Sequence, residues 1–220
     1  MMVLPNYRES VATAQFLARN LTCHLTCHRP PLLIGGDGMF WNSGGLGYQW
    51  AMPAGVTRGW VKLNGMKVEV DSERSLTWYD RQWGLSPPFF TWFQVHLPGP
   101  SGDKAERLFS IWNWQDNVNG AKSFATWRIG TAAQQIVSPN TIVVSSSRVF
   151  KSARTGKTWP LDWTVSFTDG LKLEVSSVEP DQELYGEGIP LLTYTGFVNI
   201  TARYPCGKVV DGFGVVESYL

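Results

Sequence analysis

Segments of alternating polar and apolar residues, or of β-branched and aromatic residues, recur from Pro30 to the end of the chain. Residues that favour turns separate these segments, as at Pro53-Ala54-Gly55 and Asp169-Gly170. Short strands between closely spaced turns are typical of β-sandwiches and β-barrels. The pattern therefore predicts an all-β, antiparallel fold in which helix is confined to the N-terminal tail.

The clearest turn is the dipeptide Asn64-Gly65, which lies between the strand-like segments 59–63 and 66–70. Asparagine followed by glycine favours the tight two-residue turn that joins antiparallel strands. The second segment alternates apolar with charged residues, so one face of this hairpin is expected to face water.

Three further segments, residues 78–83, 89–97 and 109–116, carry aromatic rings and polar groups together on one strand face. Because alternate residues of a strand share a face, these faces consist of Trp78, Asp80 and Gln82; Phe90, Trp92, Gln94 and His96; and Ser110, Trp112, Trp114 and Asp116. Rings mixed with a few polar groups are the usual lining of a small-molecule pocket. We expect the three faces to converge on such a pocket. The alternative is that the tryptophans lie in an interface with another domain or subunit.

Composition supports a folded protein with an unusual aromatic content. The 220 residues are 43% hydrophobic and 17% charged, with 11 tryptophans, enough to build a sizeable core. The net charge of +1 comes from 19 basic and 18 acidic residues without a basic block, which argues against a nucleic-acid partner. Every apolar run is interrupted too early to span a bilayer, so no membrane span is predicted.

The N-terminal residues 1–29 contain too many polar side chains for the apolar core of a signal peptide. The spacing of apolar residues after Ser10 predicts a short helix over residues 10–21, with Ser10 as its N-cap. Two N-glycosylation sequons, at Asn20 and Asn199, are of a kind that arises often by chance. These signals leave the compartment undecided and lean toward the cytoplasm. The N-terminal extension is expected to be partly helical.

Three cysteines are an odd number, and no disulfide framework follows from them. Cys23, His24, Cys27 and His28 form a short repeat, but a zinc site would need a second pair of ligands downstream. The sequence also contains no glycine-rich phosphate loop and no nucleotide-binding fingerprint. We predict neither a metal nor an organic cofactor.

Blocks of distinctive sequence follow one another in a fixed order along the chain. They are residues 47–55 (GYQWAMPAG), 59–70, 75–84 (SLTWYDRQWG), 91–93 (TWF), 155–163 (TGKTWPLDW), 181–183 (DQE), 194–197 (YTGF) and 212–217 (GFGVVE). In order and spacing these blocks resemble the carotenoid-hydratase-like (CrtC/AttH) family of lipocalin-fold proteins. The block SLTWYDRQWG is most similar to the fungal branch, which includes kievitone-hydratase-like enzymes and pericyclases of secondary-metabolite clusters.

This resemblance implies a lipocalin-like antiparallel β-barrel and a division of the chain. Members of the family usually have two lipocalin-like domains. Residues 34–84 are then expected to be the end of a first domain, including the block SLTWYDRQWG. Residues 85–220 are expected to be the C-terminal domain. Residues 1–33 are expected to be an extension outside the family. A barrel edge exposed by the missing first domain would favour self-association.

The resemblance also gives Asp80 a role, because the matching aspartate in carotenoid-hydratase-like enzymes has been proposed as the acid or base. Hydration needs a proton donor near an alkene carbon and a base that activates water. A carboxyl enclosed by rings such as those of Trp50, Trp78 and Trp83 suits an acid working near neutral pH, and such rings stabilise a carbocation. The alternative is a structural ion pair of Asp80 with an arginine, for which Arg58, Arg74 and Arg128 are the candidates.

A pericyclase needs less, since a cycloaddition has no obligatory proton transfer and depends on shape and hydrogen bonds. Our first prediction is a cofactor-free cyclase of the Diels-Alder or hetero-Diels-Alder type, acting on a hydrophobic polyketide- or terpenoid-derived intermediate. The alternatives are a hydratase, dehydratase or isomerase of a prenylated or polyene substrate, and a non-catalytic binder or inactive copy. The predicted catalytic residues are Asp80 and His96, and the predicted substrate-binding residues are Tyr48, Trp50, Trp78, Gln82, Trp83, Trp92, Gln94, Trp112 and Trp114.

Overall fold

Eighteen β-strands form the regular structure within residues 10–16, 21–27, 30–87, 89–98, 107–116, 120–186 and 192–219, the part of the chain that the computed structural model describes. They are β1 (Ser10–Phe16), β2 (Leu21–Cys27), β3 (Leu32–Leu33), β4 (Met39–Asn42), β5 (Gly45–Val56), β6 (Arg58–Leu63), β7 (Met66–Glu69), β8 (Leu76–Gly84), β9 (Phe90–Leu97), β10 (Arg107–Asp116), β11 (Gly120–Ile129), β12 (Gln135–Val137), β13 (Pro139–Lys151), β14 (Thr158–Phe167), β15 (Lys172–Ser177), β16 (Glu183–Leu184), β17 (Thr193–Arg203) and β18 (Val209–Tyr219). Within these residues no helix is long and apolar enough to cross a membrane. The prediction of an all-β, antiparallel fold is confirmed.

The predicted helix over residues 10–21 is wrong. Ser10–Phe16 and Leu21–Cys27 are strands that pair with each other in antiparallel register. The second strand also pairs with β6, so the sheet order is β1-β2-β6-β7. Pairing with a strand more than thirty residues away in the sequence is a tertiary contact, and such contacts override a weak local helix preference.

The hairpin predicted at Asn64-Gly65 is confirmed. Strands β6 and β7 pair on either side of it, with Leu63 opposite Met66. Both turn residues have positive φ, 50° for Asn64 and 84° for Gly65. Two left-handed residues in succession form the turn type whose twist matches that of the flanking strands.

The largest sheet has ten strands in the order β12-β11-β10-β9-β18-β17-β15-β14-β13, with β16 paired to β17. Rings on strands far apart in this order nevertheless touch. Phe93 of β9 meets Trp163 of β14 edge-on at a centroid distance of 5.8 Å, and Phe109 of β10 lies 5.7 Å from Phe167 of β14. The sheet is therefore curled into a half-barrel around one apolar core.

The third sheet has the order β3-β5-β4, and β8 pairs with β5. The chain divides into two compact units, one of residues 1–32 and 50–81 and one of residues 33–49 and 82–220. The first unit contains the sheet β1-β2-β6-β7, and the second contains the curled ten-stranded sheet. The domain boundaries expected from the sequence, at residues 33 and 84, remain a prediction.

Candidate functional site

Two of the three aromatic strand faces lie side by side in the curled sheet. In the antiparallel register of β9 and β10, Trp92 is opposite Trp112 and Gln94 is opposite Ser110. Residues directly opposite each other in such a pair point to the same side. This side is the outer face of the sheet, because the alternate residues of both strands, among them Phe93, belong to the core inside the curl.

Trp112 is the centre of the cluster of rings on this outer face. It is 1% exposed, and its ring centroid lies 5.2 Å from that of Phe40, 5.2 Å from that of Phe90 and 6.4 Å from that of Trp92. Tilted rings at these separations attract each other beyond the area that they bury. Trp114 continues the cluster through an edge-on contact with Phe124 at 6.0 Å.

Polar atoms are fixed within this layer of rings. The indole N–H of Trp112 donates to Gln49 Oε1 at 2.8 Å, and the indole N–H of Trp92 donates to Ser110 Oγ at 2.9 Å. The buried indole N–H of Trp114, in contrast, has no hydrogen-bond acceptor in the described part of the chain. A buried donor without an acceptor is costly, so an acceptor supplied by a ligand would be favoured at Trp114.

His96 lies on the same face of β9 and is 2% exposed. Its Nε2 and the Nε2 of Gln94 are 2.9 Å apart and share a hydrogen bond. Its ring stacks on Phe213 of β18, with centroids 4.9 Å apart and planes 8° from parallel. Burial lowers the pKa of His96 to about 4, because desolvation penalises the imidazolium. The ring is therefore neutral near neutral pH.

Asp80 lies in β8, which pairs with β5 and is not a strand of the curled sheet. Residues 76–80 of this strand are half-buried and residues 81–84 are exposed. Asp80 is thus at the last half-buried position, on the same strand face as Trp78 by alternation.

The rings expected around Asp80 are only partly on its side of the strand. Trp50 packs against Tyr79 at 5.6 Å, and Tyr79 points away from the face that carries Asp80. Trp83 also lies on the Tyr79 side by alternation, and it stacks on Tyr48 at 5.3 Å with planes 4° apart.

The remaining predicted binding residue of β8 is Gln82. Its side chain is exposed and donates to Ser86 Oγ at 2.8 Å. The structure therefore brings Trp92, Gln94, His96, Trp112 and Trp114 together on one sheet face. Tyr48, Trp50, Trp78, Asp80, Gln82 and Trp83 lie on β5 and β8.

A buried carboxylate that the sequence reading did not single out is Glu183. It is 7% exposed and accepts hydrogen bonds from the hydroxyl of Ser152 at 2.5 Å, the hydroxyl of Thr155 at 2.6 Å and the indole of Trp159 at 2.8 Å. Burial alone would raise the pKa of Glu183, but these donors and the nearby positive charge of Arg154 lower it below its usual value. We call these four residues, Ser152, Thr155, Trp159 and Glu183, the Glu183 clamp.

Neighbouring residues extend the clamp along β17. Gln182 accepts from the backbone N–H of Phe197 at 2.8 Å, and the hydroxyl of Tyr194 donates to Ser177 Oγ at 3.0 Å. Arg154 forms a salt bridge with Asp181. The blocks TGKTWPLDW, DQE and YTGF supply these contacts. Through them the loop after β13 is joined to β14, β16 and β17. In the sequence, these residues were marked only by belonging to blocks that resemble the family. Such a resemblance does not show whether a residue has a structural or a catalytic role.

No group of three or more histidine, cysteine, aspartate and glutamate side chains in the described residues is arranged to hold a metal ion. The backbone of Cys23, His24 and Cys27 belongs to β2. Their side chains, and the whole of His28, lie outside what the structure describes.

Comparison with families and curated proteins gives consistent results. A model of the AttH-like family matches residues 6–217. The dehydratase AsqC of Emericella nidulans is 33% identical over 208 residues, covering 90% of this chain and 58% of the relative. Kievitone hydratase of Fusarium solani subsp. phaseoli is 33% identical over 187 residues, covering 83% of this chain and 51% of the relative. The chain thus spans just over half the length of these relatives.

Solved structures match the fold. The crystal structure of kievitone hydratase from Nectria haematococca superposes with a TM-score of 0.83 at 30% identity, over 96% of this chain and 64% of that chain. A protein from Nitrosomonas europaea described as AttH has a TM-score of 0.71 at 18% identity, over 96% of this chain and 68% of that chain, and shows the fold alone.

These relatives favour one of the chemical predictions over the other. Both curated relatives are named for hydration or dehydration, which supports the hydratase or dehydratase alternative better than the pericyclase that we predicted first. The family match also begins at residue 6, within the segment 1–33 that the sequence resemblance left out.

Proposed function

The chain belongs to the AttH-like family, and from this premise we propose that it is a hydro-lyase that adds water to, or removes water from, a hydrophobic small molecule. The observation that carries this proposal is the 33% identity to a fungal dehydratase over 90% of the chain. A hydratase relative with the same identity supports the same class of reaction. The substrate class that we propose is a prenylated or polyene compound with an alkene or a hydroxyl group.

Asp80 is the proposed acid and base of the reaction. In the hydration direction its carboxylic acid gives a proton to one alkene carbon, and water bonds to the other carbon. The carboxylate then takes a proton from the added water, so the acid is regenerated and one water is consumed. A half-buried position next along the strand face from Trp78 supports this role, because a nearby ring stabilises positive charge on carbon.

His96 is the second proposed catalytic residue. Its low pKa of about 4 keeps the imidazole neutral near neutral pH, so it offers a substrate a hydrogen bond without a charge. A neutral imidazole can polarise a hydroxyl or carbonyl group in this way. The contact with Gln94 holds the ring at one nitrogen, which supports a fixed orientation.

The proposed substrate-binding residues are those predicted from the sequence, and we describe them in two groups. Trp92, Gln94, Trp112 and Trp114 form the group on β9 and β10, where we propose that the indole N–H of Trp114 donates to the ligand. The group on β5 and β8 contains Tyr48, Trp50, Trp78, Gln82 and Trp83. Flat apolar rings with few fixed polar atoms suit a hydrophobic substrate.

The mass of the product distinguishes a hydro-lyase from a cyclase and from a non-catalytic binder. The chain is incubated with hydroxylated and polyene test compounds, and the products are analysed by mass spectrometry in ordinary water, in D₂O and in ¹⁸O-labelled water. A hydro-lyase yields products that differ from the substrate by one water. In the hydration direction, deuterium and ¹⁸O from the solvent enter the product.

Two other outcomes contradict the proposal. A cyclase or pericyclase yields an isomer of unchanged mass with no label from the solvent. A non-catalytic binder gives saturable quenching of tryptophan fluorescence with no product above the background of heat-denatured protein.

A further inference from the structure

Strand β7 (Met66–Glu69) is the last strand of the sheet β1-β2-β6-β7, and β6 is the strand to which it pairs. Its apolar side chains are unusually open to solvent, since Met66 is 71% exposed and Val68 is 60% exposed. An edge strand with exposed apolar residues is a template for pairing with another strand. What fits this edge can be read from its backbone and its charges.

The backbone of β7 presents two residues to the free edge. Val70 donates its N–H to the carbonyl of Gly59 at 2.9 Å, so Gly59 and Val70 form a hydrogen-bonded pair at the end of the hairpin. Such pairs alternate along an antiparallel ladder. The N–H and C=O groups of Lys67 and Glu69 therefore point away from β6 and toward solvent.

The side chains of the same two residues carry opposite charges. Lys67 and Glu69 lie on one face of β7, with their charged atoms 2.6 Å apart and their side chains 52% and 69% exposed. Val68, between them, lies on the opposite face. A twofold axis through Val68 would place Lys67 of each copy opposite Glu69 of the other, because the pairing is antiparallel. The outward N–H and C=O groups of Lys67 in each copy would then form hydrogen bonds with those of Glu69 in the other.

We propose that β7 is a self-complementary dimerisation strand, which pairs in antiparallel register with β7 of a second copy of this chain, centred on Val68. Two Lys67–Glu69 pairs would form between the copies, since directly opposite charges of unlike sign stabilise a strand pair. The two Val68 side chains would meet on the other face. Shifting the register by two residues in one direction would oppose Lys67 to Lys67. Shifting it in the other direction would oppose Glu69 to Glu69 and bring Lys67 opposite Asp71, which lies beyond the end of β7. The central register is therefore the one that pairs unlike charges within β7 without opposing like charges.

The chain contains a matched control for this arrangement. Lys172 and Glu174 form a Lys–Glu pair at the same spacing on β15, 3.3 Å apart, with side chains 45% and 39% exposed. However, β15 is an interior strand between β14 and β17. Its backbone is already paired on both sides, so it has no edge to offer a second copy.

The test measures the mass of the full chain in solution by sedimentation velocity over a range of protein concentrations, together with its variants. We expect a dimer of the unaltered chain at high concentration. Lys67→Glu and Glu69→Lys each oppose like charges at two places, and each should weaken the dimer about tenfold or more. Lys172→Glu should leave the dimer unchanged.

Charge exchange makes the test specific to this register. The double variant Lys67→Glu with Glu69→Lys should dimerise like the original chain. Mixing the two single variants should give a heterodimer, because the copies then have complementary charges although neither self-associates. Lys67→Pro removes an outward N–H while leaving the hydrogen bonds to β6 intact, and it should also abolish the dimer.

Three results would overturn the proposal. The first is a monomer at every concentration, which would mean that the charges on β7 only protect a free edge. The second is a dimer unaffected by the single variants, which would place the interface elsewhere. The third is a failure of the mixed single variants to associate, which would remove the register argued here. All three readouts are independent of enzymatic activity.

Discussion

Glu183 and His96 are both buried titratable groups of the same compact unit, and they are held in opposite ways. Glu183 is surrounded by three hydrogen-bond donors, which keep it charged in spite of burial. His96 lies among rings with Gln94 at one nitrogen, and burial keeps it neutral. The carboxylate is thus a charged contact between strands, whereas the imidazole is kept uncharged by burial.

The difference shows that residues within blocks of one family resemblance need not share a role. Buried charges are stable only when hydrogen bonds replace the lost water, and a carboxylate that already accepts three hydrogen bonds has little capacity left for a substrate. We therefore expect substitutions in the Glu183 clamp to reduce stability, and substitutions of the proposed catalytic residues to reduce turnover.

The largest effect is expected at Asp80. Asp80→Asn keeps the shape of the side chain but removes its acid and base function, so hydro-lyase turnover should fall about 10²- to 10⁴-fold. The measurement is kcat with the substrate identified by the mass assay, alongside the free energy of unfolding in urea. Asp162→Asn, at a carboxylate paired with Arg148, is the control. A rate within threefold of the original would remove Asp80 from the mechanism and favour a shape-driven cyclase.

The next largest effect is expected on the stability of the protein at acidic pH, through His96. Its folded-state pKa of about 4 lies below the ordinary value of 6.5, so the unfolded chain binds a proton that the folded chain excludes. Stability should therefore fall as the pH drops from about 6.5 to 4, by about 3 kcal/mol in total. Urea unfolding across this range checks it. His96→Gln, which keeps a polar group at the same reach, should lose this part of the pH dependence; an unchanged slope would contradict the assignment.

Glu183→Gln should cost about 2 kcal/mol of unfolding free energy at neutral pH, because an amide cannot accept from all three donors. The contribution of Glu183 to stability is lost on acidification, as for His96, but over a lower pH range. The folded-state pKa of Glu183 is below 4.5, so its contribution is present above that value and is lost as the pH falls through the folded pKa. Glu179→Gln, at an exposed glutamate, is the control. Loss of turnover at full stability would show that the clamp serves chemistry after all.

The smallest effect is expected at the edge of the clamp. Tyr194 is fully buried. Its hydroxyl lies within hydrogen-bond distance of two acceptors, Ser177 Oγ and the carbonyl of Glu179, and Tyr194→Phe removes this hydroxyl. We expect a loss of about 1 kcal/mol in unfolding free energy and unchanged kcat. Tyr185→Phe, at an exposed ring, should be neutral. An equal loss in both variants would mean that the hydrogen bonds of Tyr194 add nothing.

Much of the fold could be predicted from local chemistry. Strand alternation identified β8, β9 and β10 to within two residues at each end, and Asn64-Gly65 identified its hairpin. The candidate site was predicted less completely. Alternation put Trp92 and Trp112 on matching faces, which the register of β9 and β10 confirmed, but it could not show that β8 pairs with β5 instead.

By itself, the sequence determined the all-β class, the faces of individual strands and the family, because alternation, turn residues and motif order are local properties of the chain. Only the tertiary structure decided that residues 10–16 and 21–27 are strands, since they pair with each other and residues 21–27 also pair with the distant β6. It also decided that Glu183 is clamped and that the rings around Trp112 are packed against Phe40 and Gln49. These outcomes depend on which segments meet in space, and burial and hydrogen bonding act on residues only after they have met.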